Sequence, residues 1–492
     1  MARLETARGN DPPLAGSFRD PAGAVLATRE RVLRVVNRAG MGDLQAFLSA
    51  PAGIRWMCSG AVAPTSIVDG EERQALLEDP ALASLYAAVK GEAILEHERI
   101  PFPSFPYEWP PEMLHAAAGL TLDLALDLLP EGFGLKDATP YNVLFRGPVP
   151  VFIDLLSIER RAAGDALWLP YAQFVRTFLL PLLASRHFGL RLDYTLLARR
   201  DGLEPEEVYG WLRGTQKLRR PFFSLVSLPT WLGKRRGRDG SSLYHREPLT
   251  DAAQARYIVE SLLKRLRRTL DRVAPGGVGS SRWTGYMEGD HNYTAGQFTA
   301  KEQFVQRALA AHTPRAVLDV GCNTGHFSLM AARAGARVVA IDYDPTVAGA
   351  VWRKARAEKL DVLPLVVDLT RPTPGVGWEN REWPSFLDRA RGAFDAVFML
   401  AVVHHLLVTE RVPLARIVDL AAELTSDVLV IEFVAPEDSQ FRSLTRGREE
   451  LHRGLNAAVF ENAFRRRFEI LEAQPLEGAA RRLYRMRQSP RS

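Results

Sequence analysis

Cysteine is nearly missing from this chain. Cys58 and Cys322 are the only two in 492 residues, and they lie far apart. A disulfide framework or a structural zinc site needs more sulfur than that. Long apolar runs are missing too. Phe174–Ala184 is interrupted by Arg176 and is shorter than a bilayer-spanning helix, so no membrane span is expected. The opening MARLETARGNDPP lacks the apolar core of a secretory signal, which leads to the expectation of a cytoplasmic protein. Excess charge is small as well. The 63 Lys and Arg against 58 Asp and Glu leave a formal +5, too little on so large a surface to argue for nucleic acid. Locally, basic residues gather at Lys217–Arg220, Lys234–Arg238 and Lys264–Arg268. Solvated helix faces and loops account for such clusters, or an acidic or phosphorylated partner does.

What remains is the composition of a folded protein, 47% hydrophobic and 25% charged. Its length exceeds one hydrophobic core and predicts two or three domains. The most informative stretch is VLDVGCNTGHFSLMAARAGARVVAID, from Val317 to Asp342. Ala316, Val317, Leu318 and Val320 predict a buried strand that Asp319 interrupts just before a turn. Gly321 and Gly325 let the backbone bend tightly and leave space where a Cβ would meet a ligand. Phe327, Met330, Ala331 and Ala334 recur at helical spacing, and the start of that helix points unpaired N–H groups at the turn. Arg337–Ile341 form a second buried strand that Asp342 ends. Such a unit binds a nucleoside-containing ligand, with the acid on the ribose hydroxyls.

The details favour one ligand. A dinucleotide turn wants a small residue where His326 stands. Asp319 also places a carboxylate within reach of an ammonium group. S-adenosylmethionine (SAM) has an amine, a sulfonium and a ribose but no pyrophosphate, and it fits Asp319 and Asp342 better than NAD does. Asn323 stands where glycine is usual, and asparagine tolerates left-handed backbone angles.

Along the chain, residues 1–15 read as a frayed tail and Val25–Val36 as a β-hairpin. Ala81–Leu129 reads as helical, apart from the proline-rich IPFPSFPYEWPP (Ile100–Pro111). That stretch must be extended, and its aromatic residues are expected to pack over a core or to meet a ligand. Two strand-like runs, Leu135–Phe145 and Val149–Glu159, precede helices that continue to about Arg272. PGGVGSS at Pro275–Ser281 is the clearest linker. The predicted organisation is an N-terminal domain at 1–275, a linker at 276–282 and a second domain at 283–492.

In the second domain the strands Leu363–Val367, Phe394–Val403, Val428–Phe433, Phe468–Leu471 and Arg482–Met486 are expected to follow. Asp342, Asp368, His404, His405 and Glu432 then fall at strand carboxyl ends, where α/β sheets gather ligands. With D-V-G-C-N-T-G at Asp319–Gly325, Asp342, Asp368 and F-D-A-V at Phe394, residues 281–492 resemble the class I SAM-dependent methyltransferases. The resemblance implies an α/β, Rossmann-like sheet of seven strands with an antiparallel seventh, and SAM as methyl donor. It assigns the donor site to Asp319, Gly321, Asn323, Gly325, Asp342, Tyr343, Asp368 and Leu369. DLTRPTPGVGWENRE (Asp368–Glu382), AVVHHL and IEFVAPEDSQ are similar to a group of bacterial two-part methyltransferases, some labelled as nodulation-related.

Positioning supplies most of the rate in methyl transfer, and a base is needed only for a protonated acceptor. His404 and His405 are candidates for that base; a structural or pocket-lining role is the other reading. The Trp378–Arg381 loop either caps adenine or meets the acceptor, or merely connects two elements. Glu432, Glu437 and Asp438 read as capping and solvated acids before they read as a metal site. Tyr286 and Tyr293 stand ready to close over SAM from the linker side. No Asn-Pro-Pro-Tyr motif for an exocyclic amine is present. A small molecule, glycan or protein is therefore the expected acceptor, nucleic acid less so.

In the first domain, Asp137 and Asn142 have the spacing of a kinase catalytic loop, and Asp154 ends the next strand. Residues 80–200 resemble the catalytic lobe of the aminoglycoside-phosphotransferase and protein-kinase superfamily. That resemblance makes Asp137 a base and Asn142 and Asp154 magnesium ligands. The chain departs from the pattern in four ways. It has no Gly-rich loop, no Val-Ala-Ile-Lys lysine, Leu135-Lys136 in place of the usual His pair, and Leu-Leu after Asp154. A degenerate α+β kinase-like domain used for binding or positioning is expected. The alternatives are a phosphotransferase with an accessory SAM-binding domain and a non-catalytic SAM-binding scaffold.

Overall fold

The structure is a computed structural model that describes residues 20–28, 30–236, 249–276, 293–445 and 447–489. The tail at 1–15, the linker beyond Gly276, Tyr286 and the end of the Lys234–Arg238 cluster lie outside the described residues.

The first half opens with the expected hairpin, β1 (Gly23–Ala27) and β2 (Val32–Asn37). It belongs to a four-stranded antiparallel sheet that also holds β3 (Thr65–Val68) and β4 (Gly91–His97), in the order β1-β2-β4-β3. The expectation of helix around β4 is corrected here. Gly91–His97 is built of helix-compatible residues, but pairing with both β2 and β3 overrides local preference. Helix Pro111–Leu128 follows the proline-rich stretch. Two short ladders come next: β5 (Phe133–Leu135) with β8 (Ile158–Arg160), and β6 (Val143–Arg146) with β7 (Val149–Phe152). Pro111–Glu131 is long and apolar enough to cross a membrane by composition, which the sequence reading overlooked. Yet 61% of its most apolar window is buried inside the protein, as in the core helix of a folded domain.

The second half is an α/β unit on a mixed sheet of seven strands. They are β9 (Ala316–Val320), β10 (Arg337–Asp342), β11 (Val362–Val366), β12 (Phe394–Met399), β13 (Thr425–Val434), β14 (Phe468–Pro475) and β15 (Arg481–Gln488). The order is β11-β10-β9-β12-β13-β15-β14, with β9–β13 parallel and β15 antiparallel to both its neighbours. Leu318, Val320 and Ile341 line one face and Val317, Val338 and Ala340 the other. Helices cover both faces, so the central strands are apolar on both sides. The connections reverse direction between β9 and β12, which opens a crevice at their carboxyl ends.

The proline-rich stretch joins the halves. Phe102 packs on Phe386 and Phe394, with ring centres 6.0 and 5.7 Å apart. Glu108, fully buried, takes the guanidinium of Arg389 and the hydroxyl of Thr373. Arg389 also lies over the Phe105 ring at 4.9 Å. Nearby, Arg353 pairs with Glu112, and the Trp352 indole donates to the Pro148 carbonyl at 3.0 Å. One continuous apolar cluster therefore runs through both halves. Glu108→Gln should strand the Arg389 charge and cost about 3–5 kcal/mol, whereas Glu108→Leu combined with Arg389→Met should cost much less. Urea denaturation of the full chain measures both.

Candidate functional site

The turn after β9 has the conformation its residues predict. Gly321, Asn323 and Gly325 sit at φ of +67°, +48° and +80°, where a Cβ is costly for most residues. A Cβ on Gly321 would also lie 2.6 Å from Val402 Cγ2, and one on Gly325 would lie 2.8 Å from Val351 Cγ2. Helix His326–Arg333 starts directly after this turn. His326 itself points away from it, pairing with Glu302 at 2.8 Å and resting on Phe298. Its bulk is thereby absorbed outside the crevice.

The two acids flank the turn in different ways. Asp342, at the end of β10, accepts the Asn323 N–H at 3.0 Å on one oxygen and the Asp344 N–H at 3.0 Å on the other. Each carboxylate oxygen keeps a second acceptor position for a ribose hydroxyl. Burial pushes the Asp342 carboxyl up to about 6. Asp319 is more deeply buried and accepts the Ser328 hydroxyl at 2.5 Å. Burial raises it to about 7, against the opposing pull of that hydrogen bond and of Lys301. The cradle at Gly321 and these acids suit a ligand with a ribose and an amine.

Around the crevice, Tyr343 is half exposed and Leu369 is partly buried beside Asp368. Asp368 accepts the Thr370 N–H at 2.9 Å and its hydroxyl at 2.6 Å, closing a turn. The following loop is held by the first half. Tyr141 packs on Trp383 at 5.2 Å, and Arg200 lies 4.9 Å over the Trp383 ring. β12 ends at Met399, short of the Val403 expected, and two residues beyond it Ala401 takes a positive φ of +56°. The His404 and His405 rings then lie 4.2 Å apart. His404 is buried with no hydrogen-bond partner at Nδ1 among the described residues, and burial keeps it well below the ordinary imidazole value, hence neutral.

Asp438 caps the next helix as expected, accepting the Gln440 N–H at 2.9 Å, but the reading of Glu432 needs correction. Glu432 is neither a cap nor solvated. Its carboxylate is fully buried, 2.7 Å from the Lys301 ammonium and 2.7 Å from the Tyr293 hydroxyl that donates to it. Arg481 lies 3.5 Å beyond and grips Asp438 at 2.8 and 3.1 Å. Burial opposes the Glu432 charge, but Lys301 and Arg481 outweigh it and hold the carboxyl below its usual value. No group of three or more metal-ligating side chains occurs among the described residues. Tyr293 is buried under this row rather than standing open over the crevice. Sequence reading missed Lys301, Arg481 and Ser328. One signal was available: Gln297, Lys301, Phe304, Val305 and Ala308 share the buried stripe of helix Ala295–His312, and a lysine there needs a partner.

In the first half Asn142 links the Asp137 segment to the strand that leads into Asp154. The Asn142 amide donates to the Asp137 carbonyl at 3.4 Å, and the Ile153 N–H donates to the Asn142 carbonyl at 2.9 Å. Asp154 is bound by Arg34 of β2 at 2.8 Å. The Asp137 side chain accepts the Gln173 amide at 3.1 Å.

Comparison with known proteins defines the class. The family model described as "Methyltransferase domain" matches residues 318–423, the span from β9 to the helix before β13. The protein is a SAM-dependent methyltransferase. Over its whole length it is also 32% identical to nodulation protein NoeA of Rhizobium meliloti strain 1021, an alignment covering 99% of this chain and 98% of the relative. The chain belongs to the NoeA family. Among solved structures, the N-methyltransferase NodS from Bradyrhizobium japonicum WM9 aligns over 40% of this chain and 98% of its own, at 16% identity and a TM-score of 0.30. The bifunctional kinase-methyltransferase WbdD aligns over 41% of each chain at 18% identity and a TM-score of 0.30.

Gly321→Val should weaken S-adenosylhomocysteine binding on the order of tenfold or more through strained backbone and a filled cradle. Calorimetry reads the binding, and circular dichroism should show the fold retained.

Proposed function

We propose that residues 283–492 transfer a methyl group from SAM to an oxygen or nitrogen of a small molecule or glycan in the cytoplasm, and that residues 1–275 are a kinase-like scaffold. The observation that carries the proposal is the turn Gly321–Gly325 set between a buried Asp319 and an Asp342 with acceptor positions to spare. When bound, SAM supplies a methyl group on a sulfonium that is already a good leaving system. Asp319 takes the amine, Asp342 the ribose, and the glycines admit the ligand to the backbone. Asp368, Leu369 and Tyr343 border the adenine. His405, partly exposed next to a buried neutral His404, is the better placed base for an acceptor that must lose a proton. The relative's name, a nodulation protein, fits a diffusible acceptor better than nucleic acid.

For the first half, the four-stranded sheet followed by the Asp137–Asn142 segment and Asp154 supports the kinase likeness. Arg34 favours a scaffold over a phosphotransferase. Its guanidinium sits on the carboxylate that would have to hold magnesium, and one cation there repels another.

Two expectations test these assignments. Asp319 binds an ammonium only when ionised, and its carboxyl stands at about 7. Affinity for S-adenosylhomocysteine should therefore be full above that pH and fall by up to about tenfold per unit below it. Asp319→Asn should flatten the profile in calorimetry across that range. Incubation with methyl-labelled SAM and native-cell extract should give a labelled small molecule or glycan with the wild type and with Asp154→Asn, but none with Asp342→Ala. Donor binding without any labelled product would instead favour a SAM-binding scaffold. Magnesium-dependent ATP turnover lost in Asp154→Asn would restore the phosphotransferase.

A further inference from the structure

Between Glu207 and Asp239 the chain carries eight lysines and arginines and no acid. Neither the donor crevice nor the junction of the halves uses this stretch. Its described part forms the end of helix Pro205–Trp211, a short turn at Gly214–Leu218, and a helical rod from Phe223 to Arg236. The inner side of the rod buries Leu225, Val226 and Thr230. Its outer side is apolar as well. Leu228, Trp231 and Leu232 share one face at spacings of three and four, and are 40, 36 and 45% exposed.

Leu218, 64% exposed, stands near the start of that stripe, because the Ser227 hydroxyl donates to the Lys217 carbonyl at 2.7 Å. The Trp231 ring is held at one edge, its indole N–H donating to the Tyr209 hydroxyl at 3.0 Å. Exposed apolar side chains grouped in this way, rather than scattered singly, mark an interaction surface.

The charge around the stripe is mostly positive. Arg213, Arg219 and Arg220 are exposed and make no ion pair among the described residues. The Lys217 ammonium lies 4.0 Å over the Tyr209 ring. Of the nearest acids, Glu204 and Glu207 are engaged by Arg176 and Arg199, and Glu206 sits beside Gly233.

The apolar part of the rod, Phe223–Gly233, is too short to cross a bilayer. Leucine and tryptophan ringed by lysine and arginine instead match the headgroup boundary of an anionic membrane. RNA would meet the cations but leave the leucines in water. A second copy of the chain would set one basic rim against another. We propose that this face docks the protein on the surface of an anionic lipid bilayer. Leu218, Leu228, Trp231 and Leu232 enter the boundary, and Arg213, Lys217, Arg219 and Arg220 lie over lipid phosphates.

Sedimentation with vesicles of phosphatidylcholine, alone or mixed with phosphatidylglycerol, tests this on the full chain. The wild type should bind the mixed vesicles, prefer them over neutral ones, and release as salt rises. Leu228→Glu with Leu232→Glu, and separately Lys217→Glu with Arg219→Glu and Arg220→Glu, should each weaken binding on the order of tenfold or more. Thermal stabilisation by S-adenosylhomocysteine should be unchanged in both variants, showing the fold intact. Absence of vesicle binding, equal binding to neutral vesicles, or unaltered binding by both variants overturns the proposal. So does a lipid-free dimer that the leucine variant abolishes while vesicle binding persists.

Discussion

Glu108 and Arg389 are shut away from water together, and much of the molecule is arranged around that fact. An isolated charge in either position would be severely destabilising, so each half of the chain needs the other to be complete. Proline shapes the Glu108 side, where Ile100–Pro110 is not extended throughout as its prolines predict: a single 3-10 turn at Pro106–Glu108 carries Glu108 itself, and Phe102, Phe105, Tyr107 and Trp109 pack densely around it. On the Arg389 side the short helix Phe386–Ala390 follows the loop that leaves β11. The pair therefore fixes the far end of the loop that begins at Asp368, beside the donor crevice. Tyr141 and Arg200 hold the same loop at Trp383. The first half thus holds the loop that leaves β11 at Trp383 and again at Arg389.

The crevice depends on a second set of buried charges. Asp319, Lys301, Glu432, Arg481 and Asp438 run along one side of the sheet with alternating sign. Lys301, Glu432, Arg481 and Asp438 each have an opposite charge as neighbour, which is the condition for tolerating charge in a dry interior. The row ends at Asp319, the one member whose partner inside the protein is a hydroxyl rather than a cation at contact distance. Burial leaves that carboxyl poised near neutrality. In the reading proposed above, a ligand bringing its own ammonium would complete the alternation, which a pyrophosphate, carrying only negative charge, would not do. This distinguishes the site from a dinucleotide fold more sharply than glycine spacing does.

Much of the second half was legible because it rests on local rules. Strands apolar on both faces, glycines at positive φ and acids at strand ends follow from backbone sterics and from the handedness of the crossover. What could not be read rests on long-range pairing. Glu432 reads as a solvated acid in sequence because its partners lie far off, at Lys301 and Arg481. Gly91–His97 reads as helix until β2 and β3 flank it. Arg34 reads as one more surface arginine in a hairpin, until the fold brings Asp154 to within 2.8 Å.

That last contact bears on how, in the reading proposed above, a kinase-like half would serve a methyltransferase. A phosphotransfer site must gather carboxylates whose charge is left for metal ions and phosphates. Here Arg34 neutralises Asp154 from within the protein, and Gln173 engages Asp137. In that reading Arg34 takes the place a metal ion would hold at Asp154, and the lobe would need neither nucleotide nor magnesium. It can then act as a rigid support. Tyr141 belongs to the same short segment as Asp137 and Asn142, and it is this residue that carries Trp383. In the reading proposed above, the segment that would have moved a phosphoryl group instead props the loop beside the methyl donor.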